Sequence, residues 1–239
     1  MSDLSRWISL HQPTWIFFDV GYTLLDETQA WEDQFERLAK VLTAKGRPAE
    51  VGSIWRAYHQ ACRDFAPRQW RAICAAFGRD EAEIAELLTL ADDWRHDLEM
   101  PHAGARDVLV ALAKDHKLGI IANQSRGTRE RLRKHGLLEP LSLVIGSAEA
   151  GVTKPDPEIF QAALRRAGCE AKDAAMVGDR LDNDVEPANL LGMMTVHVRQ
   201  GGSGAQRPRR ESERATVTVE TIAEVAAVFA ARSTPTSSS

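Results

Sequence analysis

Apolar positions along the chain follow two rhythms. Unbroken runs mark the first: Trp15-Ile16-Phe17-Phe18, Leu118-Gly119-Ile120-Ile121-Ala122, Ala174-Ala175-Met176-Val177 and Met194 to Val198. A continuous run, rather than an alternating one, is the pattern of a parallel strand buried on both faces. A further strand is expected near 142–146 and a short edge strand over 216–219. Between these runs apolar residues recur at helical spacing, which predicts helices near 104–115, 128–136, 156–167, 184–191 and 220–231. From Pro101 onward helix and strand alternate, so the chain is expected to build a parallel sheet covered by helices on both faces.

The interval 27–97 breaks this alternation. Trp31, Phe35, Leu38, Val41 and Leu42 fall at helical spacing, and further helices are expected over 48–64, 68–77 and 81–97 with no strand among them. It reads as an all-helical insert placed after the first strand. Trp31, Trp55, Tyr58, Trp70 and Trp94 are expected to form the insert's own core. Arg56, Arg63, Arg71 and Arg95 are expected to be solvated or ion-paired, with His59 and His96 as minor site candidates. Residues 200–214, rich in glycine and arginine, read as a mobile surface connection, and the STPTSSS tail, 233–239, as disordered.

Composition narrows the class. Of 239 residues, 44% are hydrophobic and 27% charged, which suits a packed core, and the net charge of −4 is not that of a nucleic-acid binder. Cys62, Cys74 and Cys169 form no CxxC pair, so a zinc knuckle or disulfide framework is not indicated and a reducing compartment fits. No run approaches a membrane span, and the first residues lack the apolar stretch of a signal peptide; the expectation is a cytoplasmic protein.

Four features stand just past the carboxyl ends of expected strands: Asp19 with its Gly21–Thr23 turn, Asn123, Lys154 in GVTKPDP, and Asp179 in VGDRLDND. Ligands of open α/β sheets bind at that edge. With FFDVGYTLLD, VTKPDPEIF and MVGDRLDNDV in this order, the chain resembles the haloacid dehalogenase superfamily, in its phosphatase-like branch, over residues 15–198. The resemblance implies a Rossmann-like core over 1–26 and 98–232 and a helical cap over 27–97. It implies Asp19 as nucleophile forming an aspartyl-phosphate, and Lys154 neutralising charge on it and on the phosphoryl group. It implies Mg²⁺ held by Asp19, the Gly21 carbonyl, Asp179 and an acid that is either Asp184 or Asp182, with Asp184 favoured. Gly21, Thr23, Asn123 and Lys154 would form the phosphate site of a small phosphorylated substrate. Neither nucleic acid nor membrane is an expected partner, and the chain is read as a monomer or homodimer.

Two positions depart from the family pattern. Gly21 stands where the second aspartate of D-x-D-x-T usually handles protons, and Ala122 stands where a serine or threonine usually meets the phosphate. The expected consequence is a slow phosphatase, or one selective for good leaving groups, unless Asp26 or Glu27 supplies a displaced acid. The alternatives are a non-catalytic scaffold binding phospho-ligands or proteins, and, less favoured, a 2-haloacid dehalogenase.

Overall fold

The computed structural model describes residues 12–230. The expected disordered tail, the amino-terminal residues read for a leader, and the last position of the expected final helix lie outside that range.

Strand β1 (Trp15–Phe18) is buried along its whole length, as its unbroken apolar run requires. Trp15 and Phe17 pack into one core with Ile121, Ile145 and Met176; Ile16 and Phe18 pack into another with Ile120, Val177 and Val196. One strand thus feeds both faces of the sheet. Downstream come β2 (Leu25–Asp26), β3 (Met100–Pro101), β4 (Lys117–Ala122), β5 (Leu141–Gly146), β6 (Ala174–Gly178), β7 (Met194–Val198) and β8 (Val217–Val219). The main sheet runs β5-β4-β1-β6-β7-β8, parallel throughout, with Phe18 opposite Ile120 and Val177. The chain leaves β1 first toward β4 and later toward β6, so the carboxyl end of β1 lies at a switch in strand order, where α/β sheets bind ligands.

The insert contains α1 (Thr28–Ala44), α2 (Val51–Arg63), α3 (Gln69–Phe77) and α4 (Glu81–Leu88). In α1, Phe35, Leu38 and Leu42 face a separate cluster with Ile54, Tyr58, Ile73 and Leu87. Asp80 caps α4 by accepting the Glu83 N–H at 2.8 Å. The helix expected over 81–97 stops at Leu88. The Trp70 indole takes the Leu88 carbonyl (3.3 Å) and Arg37 takes the Leu90 carbonyl (2.9 Å), so side chains occupy acceptors that another turn would use. Short 3₁₀ turns over Thr89–Asp93 and His96–Leu98 follow. The antiparallel pair β2–β3 fastens the two ends of the insert, a feature the sequence pattern did not predict.

The remaining helices are α5 (Ala105–Leu112), α6 (Thr128–Lys134), the single turn α7 (Ser147–Ala150), α8 (Pro157–Ala167), α9 (Glu186–Leu191) and α10 (Val225–Phe229). Asp156 caps α8 by accepting the Glu158 N–H at 2.9 Å, with Pro157 in the first turn.

Part of 200–214 is packed into the fold, while 207–211 lie exposed at the surface. Gly202, Ser203, Gly204 and Gln206 are buried, and a Cβ on Gly202 would stand 2.3 Å from the Tyr58 ring. Gly202 allows close approach to the insert, and Gly201 allows close approach to Tyr22 of the turn after β1. The Gln206 side chain accepts the Leu181 N–H (2.9 Å) and donates to the Cys62 carbonyl (2.9 Å), tying the sheet side to α2. Arg209 lies over the Phe65 ring at 3.5 Å. Gln206→Ala is expected to leave the buried Leu181 N–H unpaired and cost about 1–3 kcal/mol, read as a lowered urea midpoint.

Candidate active site

Asp19 follows β1 directly, and its N–H still bonds the Val177 carbonyl of β6 at 2.9 Å, so the sheet itself aims this residue. Lys154 arrives from the loop before α8. Its Nζ, only 4% exposed as a residue, donates to Asp19 Oδ1 (2.7 Å) and Asp184 Oδ1 (2.6 Å). Asn123 does not leave its amide free for a ligand. It donates to the Lys154 carbonyl (2.9 Å) and accepts the Lys154 N–H (2.7 Å), which pins the lysine's backbone while Asn123 still borders the cavity.

Asp179 follows β6, and its carbonyl is 3.0 Å from His197 Nε2. Asp184 sits in a π-helical turn, Leu181–Val185, and its Oδ2 accepts the Arg180 N–H at 3.0 Å. A Cβ on Gly178 would lie 2.3 Å from Asp184 Cγ, so glycine is what lets this carboxylate reach the strand end. Of the two acids left open by the sequence, Asp184 joins Asp19 and Asp179, with ligand oxygens of all three within 4.8 Å of one another. Asp182 instead pairs with Arg180 (2.7 Å).

The electrostatics favour a cation. Burial works against the Lys154 charge, but Asp184 and Asp19 more than offset it and raise its pKa. Burial, then the charges of Asp184 and Asp19, drives the Asp179 pKa well above the usual carboxylate range; Asp184 moves in the same direction, chiefly through burial. Three converging carboxylates against the Lys154 ammonium, with Arg180 at the cavity wall engaged by Asp182, leave an oxygen-rich, negative pocket, a donor set suited to a hard divalent ion such as Mg²⁺.

Gly21 borders the cavity and Thr23 does not. Thr23 is fully buried behind the turn, and its hydroxyl has no hydrogen-bond partner among the described residues. Tyr22 holds the turn at φ 53°, with the Tyr22 N–H bonded to the Leu25 carbonyl at 2.7 Å. The two acids past the turn diverge. Asp26 accepts the Thr28 N–H (2.9 Å) at the start of α1, whereas Glu27 lines the cavity. A Cβ on Gly21 would stand 2.5 Å from Glu27 Oε1 and 3.1 Å from Oε2. The Glu27 carboxyl therefore fills the space beside Gly21 that a side chain there would enter. Burial first, then the charges of Glu99 and Asp19, raises its pKa to about 8.

These residues enclose a cavity of about 250 Å³, which Tyr58, Gln69 and Ser203 also border. None of those three was a site candidate from sequence, because they come from the insert and the glycine-rich loop, whose approach to the sheet edge no local pattern encodes.

A group whose folded pKa lies above its unfolded value stabilises fully below the unfolded value, and that contribution is lost as pH rises through the folded one. Glu27 moves from 4.5 to about 8, and Asp179 shifts in the same direction. The chain in chelator is therefore expected to lose stability between about pH 5 and pH 8. Calorimetric Tm across that window checks this. Glu27→Gln should flatten the profile, and Mg²⁺ should restore Tm at the alkaline end.

A parallel sheet gathers an aspartate, a lysine and two further acids at its carboxyl edge, under a helical insert, which is the layout of an α/β protein with its charged groups collected at the ligand-binding edge. The chain belongs to the haloacid dehalogenase-like hydrolase family, whose family model matches residues 13–192. It is 27% identical over 207 residues to a glyceraldehyde 3-phosphate phosphatase of Methanopyrus kandleri, covering 83% of this chain and 89% of the relative. It is 28% identical over 188 residues to the pyrimidine 5′-nucleotidase YjjG of Escherichia coli, covering 76% and 84%. Its fold is similar to that of the Bacillus subtilis HAD-hydrolase YfnB, solved bound to magnesium, with a TM-score of 0.69 and 21% identity over 91% of this chain and 99% of that one.

Proposed function

We propose that the chain is a Mg²⁺-dependent phosphatase that hydrolyses a small phosphorylated metabolite through an aspartyl-phosphate on Asp19. The observation that carries this reading is the Lys154 ammonium, which contacts Asp19 and Asp184 at 2.7 and 2.6 Å inside a pocket lined mainly by acids. A nucleophile held against a buried cation beside a cation-binding acid cluster is equipped for an anionic substrate. The phosphatase names of the relatives agree with it.

The bound ion would be held by Asp19, Asp179, Asp184 and the Gly21 carbonyl, and would supply charge neutralisation on the phosphoryl oxygens. In the first step Asp19 attacks phosphorus, the ester P–O bond breaks, and Glu27 gives its proton to the departing oxygen. In the second step the Glu27 carboxylate takes a proton from water, the water oxygen attacks the aspartyl-phosphate, and Asp19 and phosphate are released. Lys154 accompanies both steps as a fixed positive charge, and Asn123 holds its loop.

Glu27 changes the expectation drawn from Gly21. Its carboxyl occupies the place beside Gly21 that the usual second aspartate would take, so leaving-group protonation has a source and ordinary alkyl esters are within reach. The helical segment 27–97 acts as the cap over this site, with Glu27 as its first residue. The buried acid cluster also weighs against dehalogenation, which needs no cation.

Phosphate release from a panel of monoesters, with Mg²⁺ and with chelator, tests the proposal. Turnover that requires Mg²⁺ supports it. Metal-independent halide release from 2-haloacids would replace it with the dehalogenase reading, and phosphate binding without turnover with the scaffold reading.

A further inference from the structure

A second cleft, of about 290 Å³, opens beside the nucleophile cavity and shares Glu27, Trp31, Asn123 and Gln124 with it. Anything seated there adjoins the group that would protonate a departing oxygen. Its walls include Trp31, Trp70 and Trp94, all part-exposed, with Trp31 ring centroids 6.3 Å from Trp70 and 5.0 Å from Trp94. Phe35 and Tyr58, in the same aromatic cluster, are buried. The insert thus closes part of its aromatic core and leaves three indoles open to one space.

The polar groups around that space are incomplete. Gln34 and Glu99 border the cleft and are each only 1% exposed. Gln34 Nε2, Glu99 Oε2 and Trp31 Nε1 have no hydrogen-bond partner among the described residues. Arg131 Nε stands 3.8 Å from Glu99 Oε2, beyond hydrogen-bond length. Buried polar atoms in folded proteins are nearly always paired, so the two donors Gln34 Nε2 and Trp31 Nε1 left open around one cleft mark where a ligand edge is missing, whereas Glu99 Oε2 faces the equally unpaired Arg131 Nε. The ionisable lining groups are Glu27, Glu99 and His96, and no lysine or arginine borders the cleft.

We propose that this cleft is the leaving-group subsite, and that it takes a flat, uncharged aromatic ring carrying hydrogen-bonding atoms on its edge. The indoles supply stacking faces, the orphaned atoms read the edge, and the Glu99 carboxylate, with no lysine or arginine bordering the cleft, disfavours leaving groups bearing a carboxylate or second phosphate. This inference rests on the phosphatase reading above.

The test uses the full chain with Mg²⁺ and three primary alkyl monoesters: pyridin-3-ylmethyl phosphate, 2-hydroxyethyl phosphate and phosphoglycolate. The expected kcat/KM is highest for the pyridylmethyl ester, at least roughly tenfold above the hydroxyethyl ester, which is the scale of one aromatic stacking contact. Phosphoglycolate should be poorest. Trp70→Ala should bring the pyridylmethyl-to-hydroxyethyl ratio toward one, and Trp70→Phe should keep most of it, which separates loss of stacking from loss of fold. Equal kcat/KM across the esters, or a ratio unmoved in folded Trp70→Ala, overturns the proposal. Tryptophan fluorescence separates the two readings. Saturable quenching by the pyridylmethyl ester, absent with the hydroxyethyl ester, supports the cleft even if no ester is hydrolysed, in which case the phosphatase reading fails alone. Hydrolysis without preference fails the cleft alone, and neither quenching nor hydrolysis fails both.

Discussion

Asp19→Asn should lower kcat by at least ~10⁴-fold on every phosphate ester the protein accepts, because removing a covalent nucleophile commonly costs that much or more. The amide is nearly isosteric and Asp19 keeps its backbone bond to Val177, so the far-ultraviolet circular dichroism should match the parent. Lys154 would retain Asp184 as a partner at 2.6 Å, so the substitution does not strand a buried ammonium. Steady-state assays with saturating Mg²⁺ check this. Retention of even a tenth of parental turnover would mean that water attacks phosphorus directly and that Asp19 only binds.

Glu27→Gln carries the second large effect. Loss of a positioned acid–base is typically worth 10²–10⁴ in rate, and here the loss should depend on the leaving group. Alkyl esters need the proton and should fall through that whole range. Acetyl phosphate needs it least, so its first step should survive while hydrolysis of the aspartyl-phosphate stalls. The contact between Glu27 and the space beside Gly21 gives a sharper form of the test. Gly21→Asp alone would force a side chain onto Glu27 Oε1, which stands 2.5 Å from the required Cβ, and should damage the site. Gly21→Asp combined with Glu27→Ala removes that clash and should regain activity over Glu27→Ala by itself. If the double variant is no better, the carboxyl at Glu27 and a carboxyl at Gly21 do not share a role.

Much of the core was legible in the sequence because burial on both faces writes a continuous apolar run. Strands β1, β4, β6 and β7 lie within a residue of their expected limits. The acids stood out for a related reason: Asp19 follows β1 and Asp179 and Asp184 follow β6, while Lys154 lies in the loop after β5, and the parallel sheet brings all these carboxyl ends to one edge. What escaped depends on contacts distant in the chain. The β2–β3 pair has two residues on each side, too few for any periodicity. Trp70 and Arg37 end α4 from other helices, invisible to a pattern read along 81–97. The glycines of 200–214 signal looseness in sequence, yet they admit Tyr22 and Tyr58 at close range.

Glu27 shows the limit most clearly. Asp26 and Glu27 are adjacent acids with the same local context, and only the fold separates them: one carboxylate meets the Thr28 N–H and the other enters the cavity. Thr23 shows the reverse, a residue whose position in the motif implies a place at the phosphate but which the turn buries behind it. Asp182 and Asp184 likewise part at the π-helical turn, which carries Asp184 inward and leaves Asp182 to Arg180.

The measurement that reaches the centre of the account is an acid quench of Glu27→Gln during turnover of acetyl phosphate with Mg²⁺, followed by peptide mass spectrometry. The prediction is a peptide carrying phosphate on Asp19, accumulating to a large fraction of the enzyme and absent in Asp19→Asn. Phosphate release by Glu27→Gln at the parental rate with no phosphorylated peptide, or a phosphoryl group on any other residue, would contradict the two-step scheme in which Asp19 attacks and Glu27 moves the protons.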